Sequence, residues 1–149
     1  MDKRKNRGLT LCAPGSGQVI SGDSGGCTIA FADERNGDVV SPVSGVVTRV
    51  GQGDNSIALR ADMGIAVSLA IGSGRRGGRS QEGCHYYVRE GELVHTGQRL
   101  LHAELDRIRR LGGDTVCTMA VSGGRCGEMR RAGDAVRAGV TPVVHIPGE

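Results

Sequence analysis

The chain has 149 residues and a net charge of +3, with 26 glycines, 38% hydrophobic residues and 2% aromatic residues. This length suits one domain with one core, and that core must be aliphatic. No apolar stretch is long enough to span a membrane, and no apolar segment of a signal peptide follows the basic start. We expect a flexible tail over residues 1–8 and a single domain over 9–149, cytoplasmic and without membrane insertion.

Five cysteines are spread along the chain, an odd number without any Cys-x-x-Cys spacing. Zinc sites and disulfide frameworks depend on clustered or paired cysteines. We therefore expect free thiols and no metal site. The five cysteines are Cys12, Cys27, Cys84, Cys117 and Cys126.

Two short patterns each occur twice. The first is a small residue, Pro-x-Ser-Gly and a β-rich run, at residues 13–20 and 41–47. The second is Gly-acid-x-Val-x-x-Gly, at residues 91–97 and 133–139. Pro-x-Ser-Gly predicts a tight turn into a strand, and the second pattern predicts a short extended piece between two turns. Together they predict an all-β sandwich or barrel with an internal pseudo-two-fold repeat.

Alternating apolar residues predict strands at 56–60 and 65–71. In the second of these, Ala66, Ser68 and Ala70 are expected to face away from the core. Apolar runs also predict a strand after each copy of the Gly-acid-x-Val-x-x-Gly pattern.

A helix is predicted over residues 103–111, because arginines occupy its last turn and two glycines follow it. The charged segment 33–38 is predicted to be a hairpin connection that turns at Asn36 and Gly37.

These segments resemble the glucose-type enzyme IIA family of the sugar phosphotransferase system, from about residue 9 to residue 146. The most similar stretches are 39–47, 88–101 and 139–144. They look like the family's Ala-Pro-x-x-Gly turn, its Glu-Gly-Asp-x-Val-x-x-Gly-Gln-x-Leu-Leu segment and its Thr-Pro-Val. The resemblance implies a β-sandwich with a duplicated hybrid motif and one or two short helices.

Members of that family pass a phosphoryl group from the carrier protein HPr to a sugar-transporter domain. The acceptor is a histidine nitrogen, and a second histidine on the neighbouring strand supports it; the chemistry needs a neutral imidazole as nucleophile. The resemblance places the acceptor at Ala70 and the supporting histidine at Asn55, so no intact catalytic residue is expected. The candidate ligand or partner site is then Asn55, Ser68 and Ala70.

Segment 21–26 is a third departure, because it replaces a longer family segment that helps to dock HPr. The three changes together favour a non-catalytic module that binds a protein partner, either HPr-like or a transporter or regulatory protein. The alternative is an active phosphocarrier in phosphoenolpyruvate-dependent sugar uptake with a relocated acceptor such as His85. We expect His95 in an exposed turn, and His102 and His145 in structural positions.

Three other functions are disfavoured. Biotinyl and lipoyl carriers share part of this pattern but need a lysine at a hairpin tip, and the only lysines lie in the tail. Lysostaphin-type zinc peptidases need a His-x-His pair, which the sequence lacks. The loop with Arg75, Arg76 and Arg79 resembles anion-binding Arg-Gly segments but has no interleaved aromatic residues, so a solvated loop is predicted. No cofactor and no nucleic-acid partner are expected.

Overall fold

The computed structural model describes residues 8–23, 25–33, 35, 37–51, 55–72, 83–110, 112, 114–124 and 133–148. Within these ranges lie thirteen strands, a 3-10 turn at Asp62–Gly64 and one helix, α1 (Leu105–Arg110). The strands are β1 (Leu9–Cys12), β2 (Gly17–Asp23), β3 (Gly26–Phe31), β4 (Asp38–Val40), β5 (Gly45–Val50), β6 (Ser56–Arg60), β7 (Ala66–Ile71), β8 (Cys84–Tyr86), β9 (Leu93–Val94), β10 (Arg99–Ala103), β11 (Val116–Ser122), β12 (Ala135–Val136) and β13 (Pro142–Ile146).

The strands form three antiparallel sheets. The largest has the order β12–β2–β3–β11–β7–β6–β5–β9, a second has the order β4–β10–β8, and β1 pairs with β13. Buried aliphatic side chains contributed by all three sheets form one core. The predicted all-β sandwich is confirmed, and its sheets stay open rather than closing into a barrel.

The internal repeat is visible in the order of the largest sheet. β7 and β11 lie at its centre, and the strands on either side correspond in pairs. Each Pro-x-Ser-Gly strand pairs with one copy of the Gly-acid-x-Val-x-x-Gly pattern, Gly45 opposite Val94 and Gly17 opposite Val136. The repeat in the sequence thus becomes a pseudo-two-fold axis between β7 and β11.

Reciprocal hydrogen bonds tie the two Pro-x-Ser-Gly turns together. The Cys12 N–H donates to the Pro42 carbonyl oxygen, and the Val40 N–H donates to the Pro14 carbonyl oxygen, both at 2.8 Å. These residues occupy equivalent positions in the two copies of the pattern. The two halves are therefore held together by the turns that the repeat predicts.

Two glycines are required where the copies of the second pattern meet. Gly97 and Gly139 both have left-handed backbone conformations, with φ of 89° and 72°. A Cβ atom on Gly139 would lie 2.8 Å from the Gly97 Cα atom. Any side chain at Gly139 would therefore force the two turns apart, in addition to straining its own backbone.

The serines of the two turns provide a test of the repeat. The Ala138 N–H donates to Ser16 Oγ at 2.9 Å, and the Thr96 N–H donates to Ser44 Oγ at 3.2 Å. We expect Ser16→Ala and Ser44→Ala each to lower the free energy of unfolding by about 1 kcal/mol, the usual net value of one hydrogen bond. Urea denaturation measures the change, and an unchanged stability in both variants would contradict the role of these hydrogen bonds.

Two predicted elements are corrected by the structure. Ala103 is the last residue of β10, where it pairs with Cys84, so α1 begins at Leu105 rather than at residue 103. The segment 33–38 is not a hairpin connection, because β3 belongs to the largest sheet and β4 pairs with β10. Among the described residues, no helix has the length and apolar character needed to cross a membrane.

Candidate functional site

The predicted site lies where β6 begins and β7 ends. In this antiparallel pair Ser56 lies opposite Ala70. The Ile71 N–H donates to the Asn55 carbonyl oxygen at 2.9 Å, which extends the pairing by one residue. The structure therefore brings Asn55 and Ala70 to the same end of neighbouring strands.

The two faces of β7 differ as the alternating sequence predicts. Val67 and Leu69 are buried in the core, each with 1% of its surface exposed. Ala66 is exposed on the other face, where Ser68 and Ala70 are half-buried. The position that the resemblance assigns to the acceptor therefore lies on the outer face of the largest sheet.

Asn55 differs from Ala70 in its surroundings. Directly paired residues share a face of the sheet, so Ser56 is the β6 residue beside Ala70. Asn55 precedes β6 in a bend and is buried, with 4% of its surface exposed. That its side chain shares one depression with Ala70 stays a prediction.

Small side chains cover the outer face around this position. No charged side chain lies on it among the described residues of β7 and β11, and the arginines nearby, Arg49 and Arg60, lie opposite Ala58 and Ala66 at its margin. The residues of this face are Thr28 of β3, Ser56 and Ala58 of β6, Ala66, Ser68 and Ala70 of β7, and Thr118 and Ala120 of β11. The side chains of these residues include no imidazole or thiol nucleophile.

The pseudo-two-fold axis relates this site to a second position. Ala70 lies opposite Thr118, and Ser68 lies opposite Ala120. Because β7 and β11 exchange under the axis, Ala120 is the counterpart of Ala70 on the same face. The chain thus contains its own matched control position for any change at Ala70.

Tyr86 contributes to the site, although nothing in the sequence around it indicates this. Its hydroxyl group donates to the Ser56 carbonyl oxygen at 3.2 Å and so fixes β8 against the start of β6. The two residues are 30 positions apart in the chain. No local pattern could have predicted this contact, because only the packing of the two sheets creates it.

His85 lies on β8 next to Tyr86, with 60% of its side chain exposed. Its Nε2 atom is 3.3 Å from Glu104 Oε2. Successive residues of a strand point to opposite faces, so His85 points away from the side on which Tyr86 reaches Ser56. The structure therefore does not bring His85 together with Asn55 and Ala70.

The other three histidines lie where the sequence predicts. His95 is exposed in a turn. His102 Nδ1 is 2.7 Å from Asp38 Oδ1, and His145 Nδ1 is 3.1 Å from Thr10 Oγ1. The last two contacts join neighbouring strands, as structural histidines do.

The described cysteines are free, as predicted; Cys126 lies outside the described residues. Burial raises the pKa of Cys27 from 9.0 to about 11 and that of Cys84 to about 12, the latter with a contribution from the Glu104 carboxylate. Burial and the neighbouring Cys27 also raise the pKa of Cys117. These groups remain neutral thiols, which are weak nucleophiles and weak metal ligands.

The raised pKa of Cys27 makes the stability of the protein depend on alkaline pH. The contribution of the neutral Cys27 thiol to stability is complete below pH 9.0 and is lost as pH rises toward about 11. The reason is that the thiol loses its proton at a lower pH in the unfolded chain than in the folded one. We expect the free energy of unfolding to fall as the pH rises over this range. In Cys27→Ala the fall should be shallower, by up to about 1.4 kcal/mol per pH unit. Denaturant titrations at several pH values measure the slopes, and equal slopes would contradict the prediction.

Within segment 21–26, Asp23 pairs with Gly26 at the end of the β2–β3 pair, and Ser24 lies outside the described residues. The loop with Arg75, Arg76 and Arg79 lies outside the described residues. In the part of the chain that the structure covers, no group of three or more histidine, cysteine, aspartate or glutamate side chains is arranged to hold a metal ion.

Comparison with known proteins identifies the fold and the family. Residues 10–125 match the family model described as phosphoenolpyruvate-dependent sugar phosphotransferase system, EIIA 1. The structure is similar to that of glucose permease IIA from Mycoplasma capricolum, with a TM-score of 0.76 and 20% sequence identity, over 94% of this chain and 96% of that one. That likeness concerns the fold.

Two relatives are similar in sequence. A protein from Bacillus cereus named PTS system glucose-specific EIIA component is 26% identical over 130 residues, which cover 86% of this chain and 78% of that protein. A protein from Streptococcus pneumoniae named PTS system glucose-specific EIICBA component is 34% identical over 97 residues, 63% of this chain. The aligned part spans only 13% of the streptococcal protein.

Proposed function

Since the chain belongs to the EIIA 1 family of the phosphoenolpyruvate-dependent sugar phosphotransferase system, we propose that it is a glucose-type component that binds a protein partner without accepting a phosphoryl group. The observation that carries this proposal is the alanine at position 70. It lies beside Ser56 at the end of the β6–β7 pair, where the family resemblance expects the acceptor histidine. A methyl group has no lone pair with which to attack phosphorus.

The outer face of the largest sheet supports a binding role. Its side chains are small on both sides of the pseudo-two-fold axis, and Arg49 and Arg60 lie at one margin. A surface with few long side chains loses little side-chain entropy when a partner covers it. The partner proposed is HPr or the sugar-transporter domain that receives phosphate in this system, and the sugar system proposed is the glucose-specific one named for both relatives.

The cytoplasm is the compartment proposed for this module, because its partners in the phosphotransferase system act there. The single domain over residues 9–149, preceded by a short tail, is likewise part of the proposal. The nearly continuous core, to which strands from β1 to β13 contribute, supports it.

A binding experiment tests the docking face. The isotopically labelled protein is titrated with unphosphorylated HPr and, separately, with the soluble phosphate-accepting domain of a glucose transporter. We expect at least one probe to shift backbone amide signals of β6, β7 and β11. Ala70→Arg should weaken that binding by at least about tenfold, because a buried unpaired charge costs more than 1.4 kcal/mol.

The matched control is Val140→Arg, which places the same charge at a residue that is 64% exposed outside the largest sheet. This variant should bind like the natural protein. Equal binding by Ala70→Arg would contradict the docking face, and failure of both probes to bind would contradict a phosphotransferase partner.

A second candidate function is that of an active phosphocarrier whose acceptor is His85. The exposure of this side chain favours it, since a phosphoryl donor can reach an exposed imidazole, and the Glu104 carboxylate lies 3.3 Å from its Nε2 atom. The direction of His85 away from Tyr86 and Ser56 weighs against it. Phosphorylation that disappears in His85→Ala would establish this second function in place of the first.

A further inference from the structure

A row of ionisable side chains crosses the three-stranded sheet, apart from the site described above. Asp38 on β4 pairs with His102 on β10, and His102 pairs with His85 on β8. Glu104 follows β10 two residues after His102, and its Oε2 atom lies 3.3 Å from His85 Nε2. Two imidazoles thus lie on neighbouring strands, with Asp38 beside His102 and Glu104 near His85.

The pairing of the two histidines determines their separation. The Tyr87 N–H donates to the Leu100 carbonyl oxygen at 2.9 Å, and the Glu104 N–H donates to the Gly83 carbonyl oxygen at 2.6 Å. Hydrogen-bonded pairs alternate with non-hydrogen-bonded ones, so the His85–His102 pair between these two is of the hydrogen-bonded kind. Its Cα atoms are then about 5.5 Å apart, and both side chains leave the same face.

Each imidazole has one nitrogen near a carboxylate, and the contact of His102 with Asp38 is a hydrogen bond whereas that of His85 with Glu104 is an ion-pair approach only. His102 Nδ1 is 2.7 Å from Asp38 Oδ1, and His85 Nε2 is 3.3 Å from Glu104 Oε2. In protein metal sites the ligating histidine commonly donates its second N–H to a carboxylate, which fixes the ring and makes the ligating nitrogen more basic. The nitrogens left for coordination are His102 Nε2 and His85 Nδ1.

We propose that His85 and His102 bind a divalent transition-metal ion through these two nitrogens. Imidazole suits copper, nickel and zinc, and Cu²⁺ should bind most tightly. No third protein ligand is in place among the described residues, so the remaining positions belong to water. The side chains are 60% and 32% exposed, which makes the site open and the ion exchangeable. This proposal does not depend on the function proposed above.

The test is a calorimetric titration of the full chain with Cu²⁺ in a buffer containing glycine as a weak competitor. We expect one high-affinity equivalent, with coupling to two nitrogen atoms in the electron paramagnetic resonance spectrum. His85→Ala and His102→Ala should each weaken binding by at least about tenfold. The matched controls His95→Ala and His145→Ala should bind like the natural protein.

Asp38→Asn tests the orienting role of the carboxylate. It keeps both ligating rings and should weaken Cu²⁺ binding by about 10- to 100-fold. Thermal unfolding shows whether each variant is folded.

A second measurement uses the natural protein and follows the nuclear magnetic resonance signals of the histidine rings as Zn²⁺ is added. The signals of His85 and His102 should move, and that of His95 should not. Unmoved His85 and His102 signals, or equal Cu²⁺ binding by the His85→Ala/His102→Ala double variant, would overturn the proposal.

Discussion

The double variant Asn55→His/Ala70→His is expected to accept one phosphoryl group from phosphorylated HPr, whereas the natural chain accepts none. The hydrogen bond from the Ile71 N–H to the Asn55 carbonyl oxygen and the pairing of Ser56 with Ala70 place the backbones of residues 55 and 70 at one end of the β6–β7 pair, and the result requires that the two new imidazoles share one depression there. Ala70 is only half-buried, so a histidine there can reach the outer face. The P–N bond of the donor phosphohistidine would break as a P–N bond forms on the new acceptor. Intact-mass spectrometry at neutral to mildly alkaline pH measures the product.

The pseudo-two-fold counterpart provides the control for this prediction. Asn55→His/Ala120→His carries the same two substitutions, with one moved to the equivalent position on β11. This variant should remain unmodified, because its histidines are separated by the centre of the sheet. Modification of both variants would mean that surface histidines react without a specific site. An unmodified Asn55→His/Ala70→His variant that still binds HPr would show that the site assignment is wrong.

The largest expected effect on stability is that of Leu69→Ala. Leu69 has 1% of its surface exposed and lies on the core face of β7, one residue before Ala70. Truncating a buried leucine removes apolar contacts and leaves a cavity, which costs about 2–5 kcal/mol. Since a domain of this size is stabilised by about 5–15 kcal/mol, the variant should unfold at a much lower urea concentration.

Ser68→Ala is the matched control on the neighbouring residue. Ser68 is half-buried on the outer face, so its substitution should change the free energy of unfolding by no more than about 0.5 kcal/mol. The difference between the two variants reports the face to which each residue belongs. Equal losses would contradict the alternation of β7, and with it the outer position of Ala70.

Patterns that recur in the sequence predicted much of the fold. The two Pro-x-Ser-Gly turns and the two Gly-acid-x-Val-x-x-Gly segments are local, and each needs particular turn residues at particular places. Their pairing, with Gly45 opposite Val94 and Gly17 opposite Val136, follows from the repeat. The alternation along β7 was equally informative, because a strand with one buried face must alternate.

The two incorrect predictions of secondary structure concern residues whose conformation depends on contacts between distant parts of the chain. Ala103 favours a helix by its own propensity, but its pairing with Cys84 keeps it in β10. Asn36 and Gly37 are typical hairpin-turn residues, yet the strands on either side belong to different sheets. In both cases tertiary pairing overrode a local preference.

The candidate site was predictable in part. The positions of Ala70 and Ser68 on the outer face follow from alternation, and the structure brings Asn55 to the same end of the strand pair. The contact of Tyr86 with Ser56 and the pairing of His85 with His102 could not be predicted, because they depend on how the sheets pack. His102 was expected to be structural, and its contact with Asp38 agrees with that expectation.

Incubation of the natural protein with phosphoenolpyruvate, enzyme I and HPr, followed by intact-mass spectrometry at neutral to mildly alkaline pH, tests the central claim most directly. A normal enzyme IIA protein in the same mixture must gain one phosphoryl group. The account predicts that the mass of this chain stays unchanged under those conditions. A gain of one phosphoryl group by the natural chain would contradict it, and its loss in His85→Ala would identify the acceptor.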